Sequence, residues 1–301
     1  MIRSLDLHPL FVHPLVVDPS IRLQVGFPVP IGQQQPLVVI GGINVLESLE
    51  LALEVGELFR EACRVQGLGY VFKASFDKAN RSSGSSFRGP GLEQGLAWLQ
   101  QVKQQLQVPV LTDVHEPWQV QPAAAVCDVL QLPAFLARQS DLVAAMAASG
   151  RPVHIKKPQF LSPQQMGPLV QKFEQQGCRD LVLCERGTVF GYDNQVVDLL
   201  GLEVMRQVSG GKPISVDVTH ALQCRSAGQA QSGGRRQQLM PLAKAAVASG
   251  IAAVFVEAHP DPDQALCDGP SALPSQQIPA FVEQLAAIDR LVKAQPALEI
   301  A

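Results

Sequence analysis

Short apolar runs alternate with longer amphipathic stretches along most of this chain, and this alternation constrains the fold more than any other feature. Eight runs have the composition of buried strands and cover residues 37–42, 69–75, 109–114, 128–133, 153–158, 180–187, 213–220 and 252–259. Apolar residues at helical spacing follow them in residues 47–66, 91–107, 117–125, 138–149, 162–176, 195–208, 234–249 and 276–293. Eight strands that are each followed by a helix predict an α/β fold, a single (β/α)8 TIM barrel.

The first strand–helix turn and the N-terminal region bear on the domain organisation. A doubly wound sheet is the alternative fold, but the turn GGINVLES is not a G-x-G-x-x-G pattern, and the chain has no Walker A motif. Ahead of the barrel, IRLQVG predicts one strand of a short N-terminal β-hairpin. We therefore predict an N-terminal extension at residues 1–19, whose order the sequence leaves open, and one catalytic barrel domain at residues 20–301.

The composition is that of a globular protein with a slightly acidic balance. Of 301 residues, 47% are hydrophobic and 17% are charged, which provides for a large apolar core. The net charge of -3 argues against a nucleic-acid or anionic-membrane partner. No apolar run is long enough to predict a membrane segment. The six cysteines form no C-x-x-C pair, which favours reduced thiols and a cytoplasmic location.

Polar or ionisable residues stand at the end of every predicted strand. Barrel enzymes bind and transform their substrates on the loops that follow the strands. A barrel that serves only as a scaffold does not need such residues, because burying unpaired charge is costly. The strand ends therefore predict an enzyme, and they carry Asn44, Lys73, Asp113, Gln131, Lys156, Glu185, Asp217 and Glu257.

Cations are concentrated at three of these strand ends and predict binding of phosphate or carboxylate groups. The set consists of Lys73, Lys78, Arg81, Lys156, Lys157 and Arg186. It exceeds the roughly two or three donors that one phosphate needs, which indicates a polyanionic substrate and a second anion. A solvated loop paired with acidic neighbours is the alternative for residues 73–81. Arg235 and Arg236 follow a Gly- and Ser-rich run, and an anion contact, a mobile lid and a solvated surface all fit them.

Metal binding and amine catalysis are two further possibilities. Asp217, His220, Glu257, His259 and Asp268 raise the question of a metal site, because a His with two carboxylates resembles a divalent-metal site, although any three such residues on separate loops often match by chance. For His115 a packing or hydrogen-bonding role is favoured over ligation. Lys156 fits the nucleophile of a Schiff-base aldolase, which is the alternative enzyme class, although surrounding anions would keep its amine charged.

Nine motifs in consistent order give the chain a close resemblance to a known family. They are FKASFDKANRSS, FRGPGLEQG, LTDVHEP, DVLQLPAFLARQSDL, KKPQFLSPQQMG, CERGTVFGYDNQVVD, DVTHALQ, SGGRR and EAHPDPDQALCDGPSALP. From about residue 20 to residue 293 the chain resembles the 3-deoxy-D-manno-octulosonate 8-phosphate synthases, also called 2-dehydro-3-deoxyphosphooctonate aldolases. The resemblance implies a barrel, a homotetramer, and condensation of phosphoenolpyruvate with D-arabinose 5-phosphate and water on the route to a lipopolysaccharide inner-core sugar.

By position, the resemblance also implies which residues form the site. Phosphoenolpyruvate is expected among Lys73, Ser75, Lys78, Gln131, Pro133, Ala134, Lys156, Gln159 and Arg186. Arabinose 5-phosphate is expected at Asn80, Arg81 and Ser82, with Phe135 and Arg138 reaching the sugar site of an adjacent subunit. Asp113 completes the substrate-binding candidates. The catalytic candidates are Asn44, Lys156, His220, Glu257 and Asp268.

The resemblance implies roles for four of these catalytic candidates. His220 is expected to relay a proton to the aldehyde oxygen, since imidazole titrates near neutral pH. Glu257 and Asp268 are expected to orient water or the sugar hydroxyls. The metal-dependent branch of the family has Cys where this chain has Asn44, and a neutral amide adds little affinity for a soft metal ion, so we predict an enzyme without a metal or other cofactor.

Three other activities stay open from the sequence. A related enzyme that uses erythrose 4-phosphate shares the barrel chemistry, although the ANRSS and QLPAFLARQ segments favour arabinose 5-phosphate. The second is the Schiff-base lyase, and the third is a catalytically silent sugar-phosphate-binding protein.

Overall fold

An antiparallel hairpin precedes the barrel, which confirms that prediction. The computed structural model describes residues 20–81, 84–189, 194–224, 233–296 and 298, so the predicted extension at 1–19 and Ser82 lie outside the described residues. Strands β1 (Ile21–Val25) and β2 (Phe27–Ile31) pair on either side of Gly26. This residue has a φ of 61°, a left-handed conformation that favours glycine in a tight turn.

Eight parallel strands close into the predicted (β/α)8 barrel. They are β3 (Val38–Val45), β4 (Gly69–Ser75), β5 (Val110–Asp113), β6 (Val129–Leu132), β7 (Val153–Lys156), β8 (Leu181–Glu185), β9 (Ile214–Asp217) and β12 (Ala253–His259). Each pairs with the next in this order, and β12 pairs with both β9 and β3, which closes the ring. Outside the ring, β10 (Gln223–Cys224) pairs with β11 (Gly233–Gly234), and β13 (Leu273–Pro274) lies beside β12.

Eight α-helices follow the strands, in agreement with the sequence. They are α1 (Leu49–Gln66), α2 (Leu92–Leu106), α3 (Pro117–Val126), α4 (Ser140–Ala147), α5 (Met166–Glu174), α6 (Gly201–Val208), α7 (Leu239–Ala248) and α8 (Ile278–Lys293). Two predicted starts were wrong. Helix α6 was predicted from residue 195, but Asn194 and Val196 form antiparallel bridges with Cys224 and Thr188. Helix α7 was predicted from residue 234, which belongs to β11. None of the helices in the described ranges combines the length and apolarity needed to cross a membrane.

Strand alternation divides the apolar core into two layers. Residues that point outward from the barrel, such as Phe72 and Leu130, pack in one cluster with residues of the surrounding helices. Residues that point inward, such as Val71 and Leu111, form a second cluster with Ile21 and other side chains of the hairpin. The hairpin therefore seals the amino-terminal end of the barrel with apolar side chains, and inward-pointing polar residues are left at the opposite end, where the strands finish.

Strands β3 and β4 approach each other closely where the polar residues begin. A Cβ atom on Gly42 would lie 2.0 Å from the carbonyl oxygen of Lys73. Every larger residue would therefore force the two strands apart and displace Lys73, whose side chain points into the barrel.

Candidate active site

A buried ion pair joins opposite sides of the β12–β3–β4 segment at the mouth of the barrel. Lys73 Nζ lies 2.7 Å from Glu257 Oε1, and both side chains are 1% exposed. Lys73 also donates to Ser75 Oγ at 3.1 Å and to the carbonyl oxygen of Asn44 at 3.3 Å. Burial lowers the pKa of Lys73, and the nearby carboxylate of Glu257 opposes that shift.

Asn44 lies between two carboxylates and an imidazole. Its Nδ2 donates to Glu257 Oε2 and, at 3.1 Å, to Asp268 Oδ2, and it lies 3.5 Å from His220 Nε2. Burial disfavours the ionised form of Glu257, but the charges of His220, Lys73 and Lys78 outweigh burial and lower the pKa of Glu257 to about 2. Glu257 is therefore ionised throughout the neutral pH range.

A second acid, Asp217 at the end of β9, links a lysine and a histidine. Lys156 Nζ donates to Asp217 Oδ2, and His220 Nδ1 lies 2.8 Å from the same oxygen. The other oxygen, Oδ1, accepts the backbone N–H groups of Thr219 and His220. Although burial opposes ionisation, the charges of His220 and Lys156 hold the pKa of Asp217 well below its usual value. Asp217 thus orients His220 so that Nε2 faces Glu257 and Asp268, at 3.5 and 3.9 Å.

Two further cations at the mouth are less completely neutralised. The guanidinium of Arg186 donates to the amide oxygens of Gln195 and Gln223, at 2.6 and 3.1 Å, rather than to a carboxylate. Burial lowers the pKa of Arg186. Lys78 is also buried, but the carboxylates of Glu257 and Asp113 outweigh burial and raise its pKa. Both side chains therefore remain charged and are suited to bind an anionic ligand.

The third acid lies at the end of β5. Asp113 Oδ1 accepts a hydrogen bond from Ser75 Oγ, and Asp113 Oδ2 lies 3.1 Å from His115 Nε2. Burial opposes ionisation of Asp113, but the bond from His115 and the charges of Lys73 and Lys78 hold its pKa well below the usual value. His115 therefore has the hydrogen-bonding role that the sequence favoured.

Lys73 and Lys156 meet at one aromatic ring. Their ammonium nitrogens lie 5.4 and 3.1 Å from the ring centroid of Phe255, which points into the barrel from β12. Arg186 belongs to the same group, because its charge also helps to lower the pKa of Asp217, the partner of Lys156. Cations from three separate strands are therefore gathered at one opening together with three ionised acids, an arrangement that suits binding and reaction of a multiply charged anion.

Comparison with known proteins agrees with this geometry. A family model described as the DAHP synthetase I family matches residues 17–294. The protein belongs to this family. The 2-dehydro-3-deoxyphosphooctonate aldolase of Synechococcus sp. (strain WH7803) is 59% identical over 265 residues, which cover 88% of this chain and 94% of the relative. The enzymes of that name from Chromobacterium violaceum and Pasteurella multocida are 57% and 56% identical, over 90% and 91% of this chain and 96% of each relative.

Within the DAHP synthetase I family, this chain therefore belongs with the 2-dehydro-3-deoxyphosphooctonate aldolases, which confirms the resemblance seen in the sequence. The structure brings most of the residues expected from that resemblance to one place. Buried at the mouth are Asn44, Lys73, Ser75, Lys78, Asp113, Gln131, Lys156, Gln159, Arg186 and Glu257. His220 and Asp268 are partly exposed beside them, at 16% and 15% of their side chains.

The remaining candidates lie at the rim of this family site. Arg81 donates to Cys267 Sγ and, at 3.3 Å, to the carbonyl oxygen of Leu266, which ties the loop after β4 to the loop after β12. Asn80 is exposed, and Ser82 lies outside the described residues. The loop after β6 carries Pro133, Ala134, Phe135 and Arg138, of which the last two are exposed.

Three cations from the sequence analysis have partners away from the mouth. Lys157 was grouped with the mouth cations, and this was wrong, since its Nζ donates to backbone oxygens of Pro158 and Leu161 and lies 3.6 Å from Glu185. Arg235 donates to the backbone oxygens of Gln195 and Ala221. Arg236 donates to Asp263 and to the carbonyl oxygen of Gly269. The run at 225–232 that would form a lid lies outside the described residues.

Four site residues were missed by the sequence analysis. Gln195 and Gln223 hold Arg186, Phe255 lies beneath two lysines, and His154 lies beneath Gln131. The period of two along a strand could have identified His154 and Phe255, because each lies two residues before a predicted site residue and must share its face. For Gln195 and Gln223, which lie outside the ring of the barrel, the sequence carried no such signal.

Asn44 and the residues around it do not fit the metal site of the metal-dependent branch. Asn44 turns its amide nitrogen, a hydrogen-bond donor, toward Glu257 and Asp268, and a donor group cannot act as a metal ligand there in the way a thiolate would. In the part of the chain that the structure describes, no group of three or more His, Cys, Asp or Glu side chains is arranged to hold a metal ion.

Proposed function

We propose that the protein condenses phosphoenolpyruvate with D-arabinose 5-phosphate and water, giving 3-deoxy-D-manno-octulosonate 8-phosphate and inorganic phosphate. The observation that carries this proposal is the 55–59% identity, over nearly the whole length of each relative, to enzymes named 2-dehydro-3-deoxyphosphooctonate aldolase. The cations gathered at the barrel mouth are the groups that this chemistry needs.

Phosphoenolpyruvate is the anion that the deepest cations are suited to hold. Arg186 donates to amide oxygens rather than to carboxylates, Lys78 is a second buried cation, and Lys156 supplies a third above Phe255. The phosphate and carboxylate of phosphoenolpyruvate can thus be bound at separate cations, which fixes the direction of the enol between them. Arg81, nearer the rim, is the proposed contact for the phosphate of the second substrate.

In the proposed reaction, C3 of phosphoenolpyruvate attacks the aldehyde carbon of arabinose 5-phosphate, and water adds at C2. The aldehyde oxygen takes up a proton, and phosphate later leaves C2 with cleavage of the carbon–oxygen bond. Holding the two substrates in line for attack contributes on the order of 7–11 kcal/mol in favourable cases. Positioning is therefore the main task of the buried charges.

His220 is the proposed proton relay, and its surroundings support this role. The Nδ1 atom of His220 lies 2.8 Å from Asp217 Oδ2, and its Nε2 atom lies 3.5 Å from Glu257 Oε2 and 3.9 Å from Asp268 Oδ2. A proton held at Nε2 can pass to the aldehyde oxygen, while the carboxyl groups of Glu257 and Asp268 orient the attacking water or the sugar hydroxyls. None of these steps requires a metal ion, and we propose that the enzyme works without one because the Asn44 amide is bonded to both carboxylates.

Assembly into a homotetramer is part of the proposal. Three large apolar side chains, Trp118, Phe135 and Phe160, are 64%, 42% and 59% exposed; Trp118 lies in the first turn of α3, and the other two lie after β6 and β7. Exposed apolar side chains near a substrate site support an interface between subunits, through which we propose that Phe135 and Arg138 reach a neighbouring site. We also propose a cytoplasmic location, which is supported by six unbonded thiols, five of them buried.

A Schiff-base mechanism is less well supported by the geometry. Both candidate lysines, Lys73 and Lys156, are bonded to carboxylates, and an amine held in an ion pair is not free to attack a carbonyl.

The test of the proposed function is phosphate release from phosphoenolpyruvate by the purified protein. We expect release only when arabinose 5-phosphate is also present, in a ratio of one phosphate to one eight-carbon product. Release with erythrose 4-phosphate at a similar rate would point to the related enzyme, and no release with either sugar would refute the proposal.

A further inference from the structure

A histidine that no proposed step uses lies directly beneath the candidate site. His154 belongs to β7, two residues before Lys156, and its side chain points into the barrel with 0% exposure. Its Nδ1 lies 3.0 Å from Gln131 Oε1, and its Nε2 lies 2.9 Å from Ser215 Oγ. Both ring nitrogens therefore have a hydrogen-bond partner, as buried polar atoms generally do. The two partners hold the imidazole in one orientation beneath the site.

The identity of these partners fixes the tautomer of His154. The amide oxygen of Gln131 can only accept a hydrogen bond, so the proton of a neutral ring lies on Nδ1. Nε2 must then accept the single hydroxyl proton of Ser215, since Ser215 Oγ lies 2.9 Å from Nε2 and 3.4 Å from the competing carbonyl oxygen of Leu183. Burial and the charges of Lys156 and Lys73 hold the pKa of His154 well below its usual value, despite the opposing charge of Asp217, so the ring stays neutral.

The bond from His154 decides which end of the Gln131 amide faces the ligand. With Oε1 held by the imidazole, the amide nitrogen is the end of the Gln131 side chain that remains to face the mouth as a donor. A side-chain amide rotated by half a turn would instead present its oxygen to the substrate, and an oxygen repels a phosphate or carboxylate. Without His154 the two orientations differ little in energy.

The same imidazole also supports an aromatic ring at the site. His154 stacks on Phe255, with ring centroids 5.8 Å apart and an interplanar angle of 11°. The Phe255 ring in turn lies 3.1 Å from Lys156 Nζ, measured to its centroid. His154 thus contacts Gln131 directly and reaches Lys156 through the Phe255 ring, and both Gln131 and Lys156 are expected substrate contacts.

We infer that His154 is a positioning residue that turns the Gln131 amide nitrogen toward the anionic group of the enol-phosphate substrate. This inference rests on the proposed function, since Gln131 faces that substrate only if the mouth binds it. His154 does not itself touch the substrate. Its effect is therefore expected on binding of the enol phosphate and not on binding of the sugar phosphate.

The kinetic test compares His154→Phe with His154→Asn. Phenylalanine keeps a ring against Phe255 but removes the donor, and we expect KM for phosphoenolpyruvate to rise about tenfold or more, with KM for arabinose 5-phosphate unchanged. Asparagine places an N–H donor near the position of Nδ1, and we expect it to restore KM to within about threefold of the original protein. Equal KM values for the original protein and His154→Phe would overturn the inference.

A double substitution separates positioning of Gln131 from a general loss of packing. Gln131→Met should raise KM for phosphoenolpyruvate by a similar factor, and adding His154→Phe to it should cause no further rise, because both changes remove one interaction. Independent, multiplying effects would contradict the inference. If the proposed function itself is wrong, the unsubstituted protein will release no phosphate, so this result is distinct from one that contradicts the inference about His154.

A spectroscopic measurement on the unsubstituted protein keeps the inference testable even if a variant fails to fold. Nitrogen-15 spectra of protein labelled in the imidazole ring should show His154 neutral at pH 7 with its proton on Nδ1. A proton on Nε2, or on both nitrogens, would reverse the bond to Gln131 and overturn the inference.

Discussion

The buried carboxylate of Glu257 should make the folded protein sensitive to acid in a way that one substitution removes. Its pKa is lowered from 4.5 to about 2 on folding, because His220, Lys73 and Lys78 stabilise the ionised form against the cost of burial. At about 1.4 kcal/mol for each pH unit, the ionised group contributes roughly 3 kcal/mol to the free energy of unfolding at neutral pH.

The direction of the pH effect follows from the lowered pKa. The contribution of Glu257 is fully present above its unfolded value of 4.5 and is lost as the pH falls toward its folded value of about 2. In Glu257→Gln the side chain at position 257 no longer titrates, and it leaves Lys73 with a neutral partner. The free energy of unfolding of this variant should therefore be about 3 kcal/mol lower than that of the original protein at pH 7. The difference in free energy of unfolding between the two proteins should be about 1 kcal/mol smaller at pH 3.5 than at pH 7.

Urea unfolding at fixed protein concentration, followed by circular dichroism between pH 7 and about pH 3.5, measures this difference. Asp113 and Asp217, whose pKa values are also lowered, titrate in both proteins, so the comparison isolates the effect of the Glu257 charge, including its coupling to them. Glu283→Gln, at an exposed position of α8, is the matched control and should change stability by less than about 0.5 kcal/mol at every pH. A difference between Glu257→Gln and the original protein that does not depend on pH would refute the reasoning.

Three further outcomes are expected. Phosphate release should be undiminished after exhaustive chelation, because Asn44 is bonded to the two carboxylates, and a loss that a divalent ion restores would contradict this. Gly42→Ala should lower the free energy of unfolding by about 1–3 kcal/mol in urea, since its Cβ would lie 2.0 Å from Lys73 O, whereas Gly84→Ala, in open space, should have no measurable effect. Borohydride added with both substrates should leave no adduct on Lys156 by mass spectrometry, and a trapped adduct would support the Schiff-base lyase.

The sequence predicted the barrel well because strands and helices repeat with fixed periods along the chain. It failed at the start of α6, where residues 194–196 pair with distant segments and no local pattern records such pairing. The polar strand ends predicted where the site lies, since parallel strands of a barrel must finish at one end.

Pairing between site residues could not be predicted in the same way. Lys73 and Glu257 are 184 positions apart, and only the closed ring of strands brings them to 2.7 Å. The error at Lys157 was avoidable, because neighbouring residues in extended chain point to opposite sides, and Lys156 and Lys157 could not both face the mouth. The same alternation places His154 beside Lys156.

Calorimetric titration with phosphoenolpyruvate tests most directly whether cations from separate strands hold one ligand. We predict one binding site per chain in the original protein and about tenfold or greater loss of affinity in both Lys156→Gln and Arg186→Gln, because each removes a charged contact. Lys244→Gln, at an exposed position of α7, should bind as the original protein does. Unchanged affinity in both mouth variants would contradict the site described for this barrel.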